Sequence, residues 1–246
     1  MNAIPPPAAM DAKEIIARRV AMELRDRTLV NLGIGLPTLV ARYVPAGISV
    51  AFQSENGIIG FGAPPPEGME DPNLTDAGGG FISALPGAVS FDSAMSFMLI
   101  RGGHLDMTVL GGLQVDAAGR LANWMVPGTL VPGMGGAMDL VAGARRVIVA
   151  MQHSARGESK IVPELTLPAT AARPVTLVVT DLAVLEPTPQ GLLLKERAPG
   201  VTVAQILAQT AASLVLPAEV PEMRLHGMPR RLATATLRSR SSRSHS

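Results

Sequence analysis

Several stretches of this sequence are apolar at nearly every position rather than at every second one. Val147-Ile148-Val149-Ala150-Met151 is one, Val175 to Thr180 is close to another, and Ile48 to Phe52 is a third. A strand without a polar alternate has no face to give to water, so it must be covered on both sides. Between such runs lie stretches of helical spacing. Ile16, Val20 and Leu24 recur at that spacing behind Asp11 and Glu14, which stand as in a capping box, and predict a helix over 12–25. Phe91 to Ile100, Ala137 to Ala142 and Val203 to Leu214 read as further helices, and 105–110, 121–126, 146–151 and 175–180 as strands. Thr28 to Leu32 reads as a strand entering the turn Gly33-Ile34-Gly35, with Pro37 in the first turn of a helix through Val44. Strands alternating with helices imply an α/β fold: an open, largely parallel sheet covered by helices on both faces.

The 246 residues suffice for one such domain, expected over 11–216, after a Pro-rich arm at 1–10. Residues 217–246 read as a disordered basic tail. Its last part, 223–246, holds six arginines and no acid; without those six the chain keeps 15 basic against 20 acidic residues. A net charge of +1 and 3% aromatic residues argue against nucleic acid as a partner. No apolar run is long enough to span a membrane, and the first ten residues lack the basic n-region of a signal peptide, so a cytoplasmic location is the expectation. The absence of cysteine removes thiolate catalysis and thiolate metal sites.

Chemistry is sparse elsewhere. His104 and His153 have no carboxylate at metal-ligand spacing and read as structural, so no metal is expected. There is no Gly-x-Ser-x-Gly elbow and no phosphate loop ending in Gly-Lys-Ser/Thr. Gly133-Met134-Gly135-Gly136 opens a helix without the spacing of a dinucleotide fingerprint. What remains is Glu55, where the run to Phe52 ends and the glycines Gly57, Gly60 and Gly62 begin a flexible loop. A Glu at a strand end is ordinarily a solvated surface group. Yet a carboxylate can attack an activated acyl group, and the oxyanion so formed needs preorganised N–H donors. Glu55 is thus the leading nucleophile and the Gly136 N–H a candidate donor. The Pro- and Gly-rich stretch 62–80 is a candidate lid.

Phe52-Gln53-Ser54-Glu55-Asn56-Gly57-Ile58-Ile59-Gly60 resembles the second signature of the family I CoA-transferases, whose Ser-Glu-Asn-Gly carries a catalytic glutamate. Arg101 to Asp106, Leu121 to Gly128 and Gly133 to Leu140 are similar to further family segments, and the resemblance runs from about 11 to about 212. It is strongest to the B (beta) subunits of the 3-oxoacid type. It implies ping-pong transfer of CoA between succinyl-CoA or acetyl-CoA and a 3-oxo acid such as acetoacetate, through a glutamyl-CoA thioester on Glu55. CoA is then a substrate and no cofactor is expected. The resemblance places Gly136 at an oxyanion position and Asn31 where an Asn contacts CoA, with Asn56, Asn123 and Gly135 lining the pantetheine path. It implies an A subunit holding the other half of the site, in a hetero-oligomer with A2B2 as its candidate arrangement.

Gly79 and Thr129 stand where the family often has lysines that would hold CoA phosphates; Arg156 and Lys160 are candidate substitutes. Three alternatives stay open: the B subunit of a 3-oxoadipate CoA-transferase, a non-catalytic partner that binds CoA, and an acyl-CoA hydrolase.

Overall fold

The computed structural model describes residues 10–128 and 133–228. In chain order the elements are α1 (Ala12–Ala21), β1 (Thr28–Leu32), a 3-10 helix (Leu36–Tyr43), β2 (Val50–Ser54), β3 (Ile58–Gly62), β4 (Ser83–Ser90) and α2 (Ser93–Arg101). There follow β5 (Met107–Leu110), β6 (Gln114–Asp116), β7 (Leu121–Ala122), α3 (Ala137–Gly143), β8 (Arg146–Ala150), β9 (Ser154–Ala155), β10 (Glu158–Ser159) and β11 (Ile161–Val162). The chain continues through β12 (Leu177–Val179), β13 (Ala183–Thr188), β14 (Gly191–Arg197), α4 (Val203–Ala208) and β15 (Leu214–Val215).

The fully apolar runs fill the middle of a ten-stranded sheet ordered β15-β14-β13-β12-β8-β5-β1-β2-β3-β4. From β12 across to β2 every pairing is parallel. Antiparallel pairs flank this centre, β2–β3–β4 at one end and β12–β13–β14 at the other. Short turns join β2 to β3, β12 to β13 and β13 to β14, and a tight turn can join only antiparallel neighbours, whereas parallel ones need a long crossover; β3 and β4 are joined by the long segment 63–82. The sheet separates two cores. Val30, Phe52, Met107, Val109 and Ile148 pack under α1 and the 3-10 helix. Leu110, Val147, Val149, Val178 and Leu185 pack on the other face with Ile100 of α2, Leu140 of α3 and Ile206 of α4. Helices therefore cover both faces of an open α/β sheet, as expected. Among the described residues no helix is long and apolar enough to cross a membrane.

Several local expectations are corrected. Asp11 is the N-cap of α1 without a side-chain cap: the Glu14 N–H bonds the Asp11 backbone carbonyl at 2.9 Å, and the Glu14 carboxylate, the other half of the expected box, accepts from Arg18 at 2.8 Å. Arg18 lies buried with its guanidinium 4.4 Å from the Tyr43 ring centre, tying α1 to the 3-10 helix, and recruits Glu14 to neutralise it. α1 ends at Ala21 rather than 25, and the strand expected over 121–126 is only Leu121–Ala122. The last helix stops at Ala208, because the Ala211 and Ala212 N–H groups both turn to the Ile161 carbonyl and Leu214–Val215 joins the sheet. The tail is not free from residue 217: Met223 and Leu225 are buried in the α1 core, and the Met223 N–H bonds Arg197 O at 2.8 Å. The rest of the expected tail, from 229, and the arm at 1–9 lie outside the described residues.

α1 is fastened across the sheet by charge. Arg19, its side chain 6% exposed, meets Glu196 of β14 through two bonds of 2.7 and 2.8 Å and Glu23 at 2.9 Å; Arg146 of β8 takes the other Glu23 oxygen at 2.6 Å. Removing one member of a buried pair strands the others, so Arg19→Met is expected to cost about 3–5 kcal/mol, measured by denaturant unfolding. Burial alone would raise the Glu23 carboxyl, but hydrogen bonds from Arg146 and Arg19 and their charges overcome it and hold it below the ordinary value of 4.5. A carboxylate depressed on folding stabilises above its unfolded value and loses that contribution as pH falls through its folded one. Acid unfolding of the wild type below about pH 4.5 should therefore steepen relative to Arg19→Met.

Candidate active site

Asn31 of β1 lies directly between Gln53 of β2 and Thr108 of β5 in the parallel register, near the carboxyl ends of β1 and β2. Ligands of open α/β sheets bind at those ends. Side chains alternate along a strand, so while Leu32, Phe52, Met107 and Val109 enter the α1 core, these three polar ones face α2 and α3. Each is fully buried; Asn31 and Thr108 each stand between two apolar neighbours, Gln53 between Phe52 and Ser54. That is the sequence signal by which Thr108 could have been found, because a polar side chain inside a buried run needs a partner; Gln53, at the head of the polar stretch Gln53-Ser54-Glu55-Asn56, carries no such signal.

The partners are one another and Glu55. Asn31 Nδ2 donates to Gln53 Oε1 at 2.9 Å and to Glu55 Oε2 at 3.1 Å, while Thr108 Oγ1 donates to Asn31 Oδ1 at 3.0 Å. Gln53 Nε2 donates to Ser96 Oγ of α2 at 3.0 Å. Glu55 is half-buried at the head of this ladder. Its setting corrects the expected flexible loop: Glu55, Asn56 and Gly57 form the tight turn of the β2–β3 hairpin, in which Gln53 pairs Ile59 and Ser54 pairs Ile58. Gly57 sits at φ +123° with its carbonyl bonded to the Phe91 N–H, clamping the turn to the β4–α2 junction.

Gly136 comes to the same place. It is the N-cap residue of α3, and a Cβ built on it would stand 3.2 Å from Glu55 Cγ and 3.4 Å from the Phe97 ring. α3 is drawn there by α2. Gly143 packs against the Ile100 carbonyl so closely that a Cβ would fall 2.1 Å from it, and Arg101 bonds Asp139 at 2.7 Å. The structure thus gathers Glu55, Asn31 and Gly136, while Gly135 beside them is exposed.

Asn56 is exposed and donates to Thr75 O at 2.7 Å, and the Ala77 N–H donates to Ser54 Oγ at 2.9 Å. These bonds pin the Asp76–Gly80 turn beside Glu55, and Gly79 is exposed on it. Asn123 is committed elsewhere: its amide donates to Gly111 O at 3.2 Å and accepts from Thr170 Oγ1 at 2.7 Å. Lys160 is likewise engaged, its half-buried amine donating to Gly112 O and pushed below the ordinary lysine value by burial, against the charge of Asp181. That bond argues against a free phosphate-binding cation at Lys160. Arg156 is exposed at the tip of the β9–β10 hairpin, and Thr129 lies outside the described residues. His153 is buried between Thr180 and Thr210, at 3.0 and 2.9 Å, and burial holds its imidazole below the usual value, the field of Asp181 opposing. A cavity of about 610 Å³ lined by Leu32, Phe52, Phe61 and Arg42 opens on the opposite face of the sheet; Glu55, Asn31 and Gly136 do not line it.

The profile of the Coenzyme A transferase family matches residues 13–209. The beta subunit of the acetate CoA-transferase of Escherichia coli K12 is 54% identical over 216 residues, covering 87% of this chain and 99% of that protein. The B subunit of the succinyl-CoA:3-ketoacid coenzyme A transferase of Helicobacter pylori 26695 is 50% identical over 201 residues, covering 81% and 97%. Among solved structures, the apoenzyme of an acyl-CoA transferase from E. coli O157:H7 superposes with a TM-score of 0.70 at 23% identity. That superposition covers 91% of this chain and 45% of the other, and shows likeness of fold.

Proposed function

This chain belongs to the coenzyme A transferase family as a subunit of the B type, and from that premise we propose that it transfers CoA with Glu55 as nucleophile. The observation that carries the reading is the Glu55 carboxylate held by Asn31 and packed against Gly136 at the carboxyl end of the sheet. Glu55 attacks the acyl carbonyl of an acyl-CoA; the carbon–sulfur bond breaks, giving a mixed anhydride and CoA thiolate. The thiolate attacks the glutamyl carbonyl, the anhydride carbon–oxygen bond breaks, and the first carboxylate leaves an enzyme thioester behind. A second carboxylate then attacks that thioester, and the released thiolate takes the acyl group from the new anhydride. Glu55 is regenerated and the balance of charge is kept. The Gly136 N–H is the proposed donor to the oxyanion formed in the first attack.

The donor is proposed as succinyl-CoA or acetyl-CoA and the acceptor as a 3-oxo acid such as acetoacetate, supported by the activities for which the two relatives are named. Those relatives are named as subunits, which supports an A-type partner completing the site. Anhydride and thioester are both open to water, so an enclosed site is required, and the turn pinned beside Glu55 is the proposed cover.

The test is to co-express the chain with an A-type partner, add acetoacetyl-CoA without acceptor, and quench with hydroxylamine. The peptide holding Glu55 should carry the hydroxamate by mass spectrometry. An active complex labelled elsewhere, or not at all, would overturn the proposal.

A further inference from the structure

Four buried side chains, Asn31, Gln53, Ser96 and Thr108, form one hydrogen-bonded ladder that reaches the Glu55 carboxylate through Asn31. Asn31 presents two chemically different ends, and they are told apart by their neighbours. Its Nδ2 faces three oxygens: Gln53 Oε1 at 2.9 Å, Glu55 Oε2 at 3.1 Å and the Gln53 carbonyl at 3.2 Å. Its Oδ1 faces one donor, the Thr108 hydroxyl at 3.0 Å. Turning the amide over would set Oδ1 against all three oxygens. Gln53 is fixed in turn by Asn31, whose Nδ2 requires Oε1 as its acceptor, and its Nε2 is left to donate to Ser96. Asn31, Gln53, Ser96 and Thr108 are each 0% exposed, so no water stands ready to replace a lost partner.

We infer that Thr108, Gln53 and Ser96 are positioning residues that hold the Asn31 amide with its N–H toward Glu55, so that one carboxylate oxygen is engaged and Oε1 is left turned toward Gly136. The Gly136 side supports this orientation: a Cβ there would meet Glu55 Oε1 at 3.5 Å. Thr108 supplies the only donor to Asn31 Oδ1 among the described residues. Without it that oxygen is buried and unpaired, and the amide gains by tipping toward another donor, taking Nδ2 from the carboxylate. The inference rests on the reading of Glu55 as nucleophile.

The test uses the complex with its A-type partner. Thr108→Val keeps the shape and removes the hydroxyl. A displacement near 1 Å at a reacting group costs about 10²-fold, so kcat should fall by about 10- to 100-fold with the KM for acyl-CoA little changed, beside a thermal midpoint lowered by several degrees for the unpaired oxygen. Thr108→Ser should restore most of the rate. Ser96→Ala, one bond further out, should lower kcat less and in the same sense, and serves if Thr108→Val does not assemble. A Thr108→Val complex with wild-type kcat, or a Thr108→Ser complex as slow as Thr108→Val, overturns the positioning role. A wild-type complex that exchanges no CoA overturns instead the reading of Glu55, which keeps the two failures distinct.

Discussion

Glu55→Gln in the assembled complex is expected to lose CoA transfer by about 10⁵- to 10⁶-fold, the scale on which removing a covalent nucleophile acts. The amide is nearly the shape of the carboxylate and can still face Asn31 through its oxygen, so folding and assembly should survive. What disappears is the charged oxygen that opens the thioester. Glu55→Asp separates charge from position. It keeps the carboxylate and withdraws it by one methylene from a place set by Asn31 at 3.1 Å and by Gly136. A retreat of that size should cost about 10²-fold. Steady-state exchange between acetoacetyl-CoA and labelled acetate or succinate measures both. Rates within tenfold of wild type for Glu55→Gln would remove the nucleophile from the mechanism.

Gly57→Ala should act on the fold before it acts on the rate. Gly57 has φ +123°, where a side chain is strained, and its added Cβ would fall 2.0 Å from the Phe91 carbonyl oxygen. The strain and the overlap are each worth about 1–3 kcal/mol, together about 4 kcal/mol. For a domain of this size that is a fall of roughly 10 °C in thermal midpoint. Relief requires the hairpin turn to leave the β4–α2 junction, and Glu55 and Ser96 are carried on opposite sides of that seam. Gly79→Ala is the comparison. It also has positive φ, +79°, but its Cβ meets open space, so only about 1–2 kcal/mol is expected. Equal midpoints for the two variants would show that the contact with Phe91 is not what Gly57 provides.

The sequence was most legible where burial leaves no choice. The runs at 146–151 and 175–180 could only be central strands, and they are β8 and β12. Legibility failed where a strand owes its existence to a distant partner. Ile58-Ile59-Gly60-Phe61-Gly62 reads as a glycine loop, yet it is β3, held between β2 and a β4 that begins some twenty residues later. β-structure of this kind reflects neighbours more than propensity. The same holds for the helix cut short at Ala208, ended by two bonds to Ile161 that local pattern does not announce. In the site, Glu55 was readable as the carboxylate left without a rival, but its supports were not. Thr108 and Ser96 stand 77 and 43 residues from the amides they hold; the parallel register of β1 and β5 brings the first, and the packing of α2 on the sheet brings the second.

Phe52 and Gln53 are adjacent in the chain and belong to different rooms of the molecule. The phenyl ring borders the 610 Å³ cavity under the 3-10 helix, while the amide joins the ladder behind Glu55. A replacement at either position disturbs one room. A single-codon insertion or deletion anywhere in 50–54 disturbs both, because a shift of one residue sends every side chain to the other face. The ring would then enter the amide ladder, and the amide would enter an apolar wall. A lineage descending from such a gene could therefore exchange the residues lining either room in small steps, but the length of this strand is frozen.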